Sequence, residues 1–253
     1  MMDRQRSRLA AWGLRTGILA LVILALCIIG NRFELVHFGV AVRGLALAGL
    51  IGAIAAIVSA AGLVRALVTS KHGVRTAIAG LVLGVLVAAP VAQQIIVGSK
   101  VPRIHDISTD LANPPAFSEA VVAARGEASN PLDRAAPADL DEQQRTAYPD
   151  IATLTVGEQP GKVYEAALAT ARGMGWEIVA ATPSTGTIEA TATTRVMNFR
   201  DDIAIRVTEA GEGALVDVRS VSRVGESDLG ANANRIRTYL HTLKQNLGTA
   251  VAE

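Results

Sequence analysis

The sequence predicts a membrane α-helical anchor of three transmembrane helices followed by a water-soluble α+β domain. Two observations predict it. Three uncharged apolar runs fill residues 1–99. Residues 100–253 instead alternate strand-like and helix-like patterns separated by glycine and proline. The charge divides at the same place. Residues 1–99 carry nine Lys/Arg and two acids, a net +7, whereas residues 100–253 carry fifteen Lys/Arg and twenty-one acids, a net −6. An acidic domain is repelled by phosphates, so nucleic acid is not among the expected partners. The single cysteine, Cys27, lies in an apolar run and has nothing in the chain to pair with, which excludes a disulfide framework and a cysteine-based zinc site.

The first run covers 16–30, TGILALVILALCIIG, preceded by arginines as in a signal peptide. No small-residue cleavage motif follows, since Asn31-Arg32-Phe33-Glu34 comes next, so the run is expected to be retained as a helix. The second run is 44–63 and the third 76–97. Each approaches the roughly 20 residues that a helix needs to cross the hydrocarbon. None shows the alternation of a barrel strand. Small residues recur at four-residue spacing: Ala48, Gly52, Ala56 and Ala60 on the second helix, Gly80, Gly84 and Ala88 on the third. Such stripes let backbones approach closely, either inside a compact three-helix anchor or across a homodimer interface through Gly80, Gly84 and Ala88. Pro90 is expected to bend the third helix.

Orientation follows from the loops. Arg4, Arg6, Arg8 and Arg15 precede or open the first helix, and Arg65, Lys71 and Arg75 fall between the second and third. The basic side belongs in the cytoplasm. Three crossings then put the domain on the far side, so the expectation is a multi-pass protein of the cell inner membrane with a cytoplasmic N-terminus and a periplasmic domain.

The domain comprises a Pro-rich extended segment, 100–150, and a core, 151–247. Seven of the nine prolines lie at positions 102, 114, 115, 131, 137, 149 and 160, which limits regular structure to one short helix over 117–124. Strands are expected over 151–156, 176–181, 187–193, 202–209 and 215–224, and helices over 162–174 and 229–247. Alternation assigns Ile188, Ala190, Ala192, Ile203, Ile205, Val207, Val216 and Val218 to the core, and Asp202 and Arg206 to the outside. The result is an antiparallel sheet of about five strands with helices on one face.

Two stretches carry a family resemblance: HDISTDLANPPAF at 105–117, and NFRDDIAIRV at 198–207 continued by VDVRSVSRVGESDLGANANRIRTYL at 216–240. The chain resembles the bacterial and plastid family called domain of unknown function 1499 over most of 101–247. The resemblance implies that 101–117 belong to the folded domain. The family has no established activity, so it supplies no catalytic residues.

The candidate chemistry therefore rests on the residues alone. His105, Asp106 and Asp110 are suitable cation ligands, but in a Pro-flanked loop they equally cap turns. Asp201 and Asp202 are neighbours on a strand and so face opposite sides, which weakens a paired-carboxylate mechanism. Arg219 and Arg223 share a face with Asp217, while Ser220 and Ser222 share the core face. This arrangement reads either as an anion site or as a salt-bridged outer surface. Ser227 and Asp228 are good N-caps for the last helix. No Walker loop, dinucleotide fingerprint or HExxH occurs. No metal, cofactor or catalytic residue is assigned. The speculative ligand-binding set is His105, Asp106, Asp110, Asp202, Arg219, Ser222, Arg223, Ser227 and Asp228. The expected function is a membrane-anchored envelope module that binds a protein, lipid or cell-wall component. The alternative is an envelope hydrolase using an Arg/Ser-lined site near His105.

Overall fold

A computed structural model describes residues 7–69, 72–126 and 128–249. The lysine at 71 and the arginines at 4 and 6, used above for orientation, lie outside the described residues. The chain divides into two compact units, 1–99 and 100–253.

The first unit consists of α1 (Arg8–Arg32), α2 (Phe38–Val68) and α3 (Val74–Gly98), each long and apolar enough to cross a bilayer. It is packed with small residues inside and large ones outside. Ala20, Ala48, Ala55 and Ala77 are fully buried, whereas Leu26, Ile57, Leu67 and Val82 face outward. A water-soluble bundle would reverse that order, because burial of large apolar side chains is what holds it together. The small residues set the helix spacing. A Cβ on Gly80 would lie 2.7 Å from the Leu14 nitrogen, and one on Gly84 would lie 2.6 Å from both the Ala56 nitrogen and the Gly52 oxygen. The same approach brings the Ala88 nitrogen against Gly52. The stripe of Gly80, Gly84 and Ala88 thus faces helices of its own chain. α3 runs continuously through Pro90.

The second unit is a six-stranded antiparallel sheet with helices. Its strands are β1 (Asp106–Ser108), β2 (Leu154–Val156), β3 (Glu177–Thr182), β4 (Thr187–Thr193), β5 (Arg200–Ala210) and β6 (Gly213–Ser222). The spatial order is β1-β6-β5-β4-β3, and β2 also pairs with β6, below β1. Two short helices, α4 (Glu119–Ala124) and α5 (Leu140–Ala147), precede β2, α6 (Pro160–Gly173) follows it, and α7 (Ala231–Thr249) ends the chain.

One face of the sheet is apolar. Ile188, Ala190, Ile203, Ile205, Val207, Val216 and Val218 pack beneath Val163, Ala167 and Ala171 of α6 and Ile236, Tyr239 and Leu243 of α7. The Tyr239 hydroxyl donates to Ala167 O at 3.0 Å and its ring stacks on Trp176, which ties the two helices together. α7 begins two residues later than the periodicity predicts. Leu229 and Gly230 both have positive φ, 54° and 82°, so the helix cannot include them.

The other face corrects the sequence reading. Asp202 was expected outside, yet it is completely buried, and Arg219 is 4% exposed. The Pro-rich segment covers that face. That segment also adds a strand to the five expected, β1, only three residues long and too short for alternation to reveal. The outer edge of β1 is closed by a side chain: Ser108 N donates to Gln144 Oε1 (3.0 Å), and Gln144 Nε2 donates to Ser108 O (2.6 Å). The amide thus takes the place of a further strand. Gln144 is 1% exposed, so Gln144→Ala leaves a buried backbone donor and acceptor unpaired. The expected loss is about 1–3 kcal/mol in chemical denaturation, with faster exchange of the Ser108 amide.

Candidate functional site

Three ion-pair clusters lie between the sheet and the covering segment, and they contain most of the sequence-predicted residues. The register generates them. β5 presents Asp202 and Arg206 on this face, and β6 presents Asp217 and Arg219, with Arg223 just beyond its end.

In the first cluster Arg219 grips Asp106 through two nitrogens, Nε at 3.1 Å and Nη2 at 2.7 Å. It also donates to Pro115 O and Leu132 O and lies over the Phe117 ring, 5.1 Å from its centroid. Arg134 approaches Asp106 from the covering segment at 2.6 Å and continues to Asp141. In the second cluster, Asp202 accepts from Thr191 Oγ1 (2.9 Å), from Arg223 Nε and Nη2 (3.0 and 2.8 Å) and from Arg125. The remaining Arg223 nitrogen donates to Ala124 O. Burial pulls the Arg125 guanidinium below its ordinary value, and the Asp202 carboxylate partly offsets this. In the third, Arg206 bridges Asp110 and Asp217, and Asp217 also accepts from Thr109 and Thr153.

The helix face holds the rest. Asn232 Nδ2 donates to Ser222 Oγ (2.9 Å), while Ser220 donates to Asn232 Oδ1. Arg235 pairs with Asp201. Asp201 and Asp202 therefore serve opposite faces, as their adjacency requires. Asp228 caps α7 by accepting from the backbone of Gly230 and Asn232, and burial raises its carboxyl above the usual range. Ser227 accepts from Leu229 N, and His105 Nδ1 approaches Glu226 O at 3.4 Å.

The nine candidate residues thus do not converge. Asp106 and Arg219 form one group, Asp202 and Arg223 a second, and Asp110 joins a third. His105, Ser222, Ser227 and Asp228 surround the start of α7. An open depression of ≈ 300 Å³ is lined by Glu177, Val179, Thr191, Thr193, Asn198, Arg200, Arg223 and Ala124. It contains neither His105 nor Asp202. Among the described residues no three of His, Cys, Asp and Glu gather to hold a metal ion. Sequence reasoning missed Arg125 and Arg134. They lie 77 and 28 positions from Asp202 and Asp106 in a segment without periodicity, so no local signal marks them. Arg206 was read as facing outward and Asp217 as sharing a face with Arg219 and Arg223, but their pairing across the two strands was not.

On the surface, Arg237 binds Asp150 (Nη2 to Oδ1 2.7 Å) and lies over the Tyr148 ring. This partner holds the Asp150 carboxyl below its usual value. A depressed folded pKa contributes stability above the ordinary carboxylate range and loses it as pH falls through the depressed value. The pair is half-exposed, so solvent screens it and the contribution is small. Asp228 has the opposite sign: its raised pKa favours the folded state at low pH and ceases to do so as pH rises through it. The expected result is that Asp150→Asn lowers stability slightly at neutral pH, and that denaturation curves of the variant and the parent converge on acidification.

This architecture defines a class: an α+β domain with one helix-packed face and one ion-paired, strapped face, joined to three membrane-capable helices. The chain belongs to the DUF1499 family, described as proteins of unknown function, whose family model matches residues 106–243. The match begins at the first residue of β1, so the strap belongs to the family's domain. No curated protein matches the chain.

Proposed function

We propose that this protein is a membrane-tethered binding module of the cell envelope. In this reading the helices lie in the inner membrane with the N-terminus in the cytoplasm, and the periplasmic domain binds a protein, lipid or cell-wall component. One observation supports binding over catalysis. The arginines and carboxylates that chemistry would need are occupied by one another: Arg219 by Asp106, Arg223 by Asp202. An incoming anion must displace a buried carboxylate to reach either guanidinium. A shallow surface and a tether suit a weak binder, because confinement to the membrane raises the effective concentration near a target.

Crosslinking in native membranes followed by pull-down, with a detergent-solubilised chain carrying scrambled residues 100–253 as control, tests the reading. A specific crosslinked partner or lipid is expected. Turnover of ester, amide or phosphoester substrates, abolished by His105→Ala without loss of folding, would replace it with a hydrolase. Reporters fused after Glu253 test the sidedness: phosphatase activity is expected, and fluorescence without phosphatase activity reverses it.

A further inference from the structure

Among the described residues of the domain, three large apolar side chains are exposed: Val122 (53%), Val196 (58%) and Leu229 (38%). Singly such residues are ordinary. These three lie toward one end of the sheet. β4 and β6 finish there and β1, β3 and β5 begin there, since Thr193 pairs with Arg200, Asp201 with Ser222, Asp106 with Val221 and Glu177 with Thr191. Val196 is at the tip of the turn from β4 to β5. That turn is closed at its base by Thr194 N donating to Phe199 O (2.8 Å) and Phe199 N donating to Thr194 Oγ1 (2.9 Å). Leu229 follows β6 in the loop that leads to α7. Its φ of 54° is costly for a bulky side chain, and the packed core does not use it. Val122 comes two residues before Ala124, whose carbonyl accepts from Arg223 just beyond β6.

The chain enters the domain at this same end. Val101 comes three residues after α3 finishes at Gly98, a reach of at most about 11 Å. The Leu229 loop is tied to that entry. Asp228 N donates to Ile104 O (3.2 Å), His105 Nδ1 approaches Glu226 O, and a Cβ on Gly230 would lie 3.6 Å from Val101 Cγ1. Lys100, Arg103 and Arg172 are exposed at this end, and none of them forms an ion pair among the described residues. The opposite end, with turns at 183–186 and 211–213, lies a strand's length away and exposes Glu209 and Glu212.

We propose that this end of the domain rests on the bilayer that holds the helices, with Val196 and Leu229 inserted among the lipid headgroups. This rests on the membrane-tethered binding-module reading and names a lipid surface as what the domain meets. Lipid is the one surface that the covalent connection brings to this end, because the entry segment begins where α3 leaves the hydrocarbon. Burial of the apolar tips in the interface gives the contact its main strength. Lys100, Arg103 and Arg172 favour anionic headgroups, and Glu177 and Glu226, exposed at the same end, offset part of that preference.

The test uses the full chain with Cys27→Ala, carrying one new cysteine labelled with an environment-sensitive fluorophore. The chain is placed in vesicles of phosphatidylethanolamine and phosphatidylglycerol, with or without brominated acyl chains. Labels at Val196→Cys and Leu229→Cys are expected to shift to the blue and to be quenched about two-fold by the bromine, as a residue seated in the interface is. A label at Ile57→Cys, on the outer surface of α2, should be quenched as well, and one at Glu212→Cys should not. A label at Glu226→Cys shows whether the tips hold this end down. It should be quenched in the parent and not in the double variant Val196→Asp with Leu229→Asp, whose melting temperature should be unchanged because both side chains are exposed. Labels at 196 and 229 that behave like the one at 212, or quenching at Glu226→Cys that survives the double variant, overturn the proposal. Quenching at Ile57→Cys then leaves the tethered reading standing, and its absence overturns that reading too. Labels at 196 and 229 that are water-exposed in vesicles but shielded in native membranes assign this end to a protein and overturn the lipid surface.

Discussion

Asp202→Ala is expected to destabilise the domain by about 3–5 kcal/mol, the cost of leaving buried charge without its partner. Asp202 is fully buried and receives Arg223, Arg125 and Thr191. Its loss leaves two guanidiniums facing each other beneath the strap. Arg125 is anchored to Asn130 O, and Asn130 reaches Ser222 O and Gly225 O, so the loosening spreads along the covering segment. Chemical denaturation of the domain measures the loss, and hydrogen exchange shows α4 and its flanks opening before the helix-packed face. Replacing Asp202, Arg125 and Arg223 together with apolar residues of similar volume should recover much of the stability, because an ion cluster contributes less than the damage its breaking causes. A single Asp202→Ala variant within about 1 kcal/mol of the parent would mean that the face is solvated after all.

The second large effect lies in the three-helix unit. Gly84→Leu places a Cβ 2.6 Å from two backbone atoms of α2, which cannot turn aside as a side chain can. Overpacking of this kind costs about 1–3 kcal/mol even when neighbours can shift. The helices are therefore expected to separate, with a large fall in the melting temperature of the unit in detergent. Val82→Leu is the control: Val82 is 58% exposed on the outer surface, and the change should be silent. Crosslinking between copies separates the two uses of the stripe. If Gly84 serves an interface between chains, Gly84→Leu lowers the dimer yield and spares the melting temperature.

The two faces of the domain were unequally legible. Period-two alternation in 187–193, 202–209 and 215–224 marked these strands and the helix-packed face, because apolar side chains there have one place to go. Alternation separates faces but does not say which are covered. Asp202 and Arg219 looked like surface residues because charged strand positions usually are. Their burial depends on Arg125, Arg134 and Asn130, which are distant in sequence and sit in a proline-rich stretch with no period. The helix over 140–147 was missed for a related reason. LDEQQRTA buries only Leu140 and Gln144, and its main contribution is a side-chain amide closing an edge. The candidate residues were chosen for reactivity. In the fold the same groups satisfy one another.

Everything proposed for the domain depends on α1, α2 and α3 holding the chain in a bilayer. The most direct measurement is sedimentation of the full chain after a high-pH wash of membranes, with and without detergent. The expected result is that it remains with the membranes and enters solution only when detergent is added. Recovery of the intact chain from the detergent-free supernatant would contradict the account.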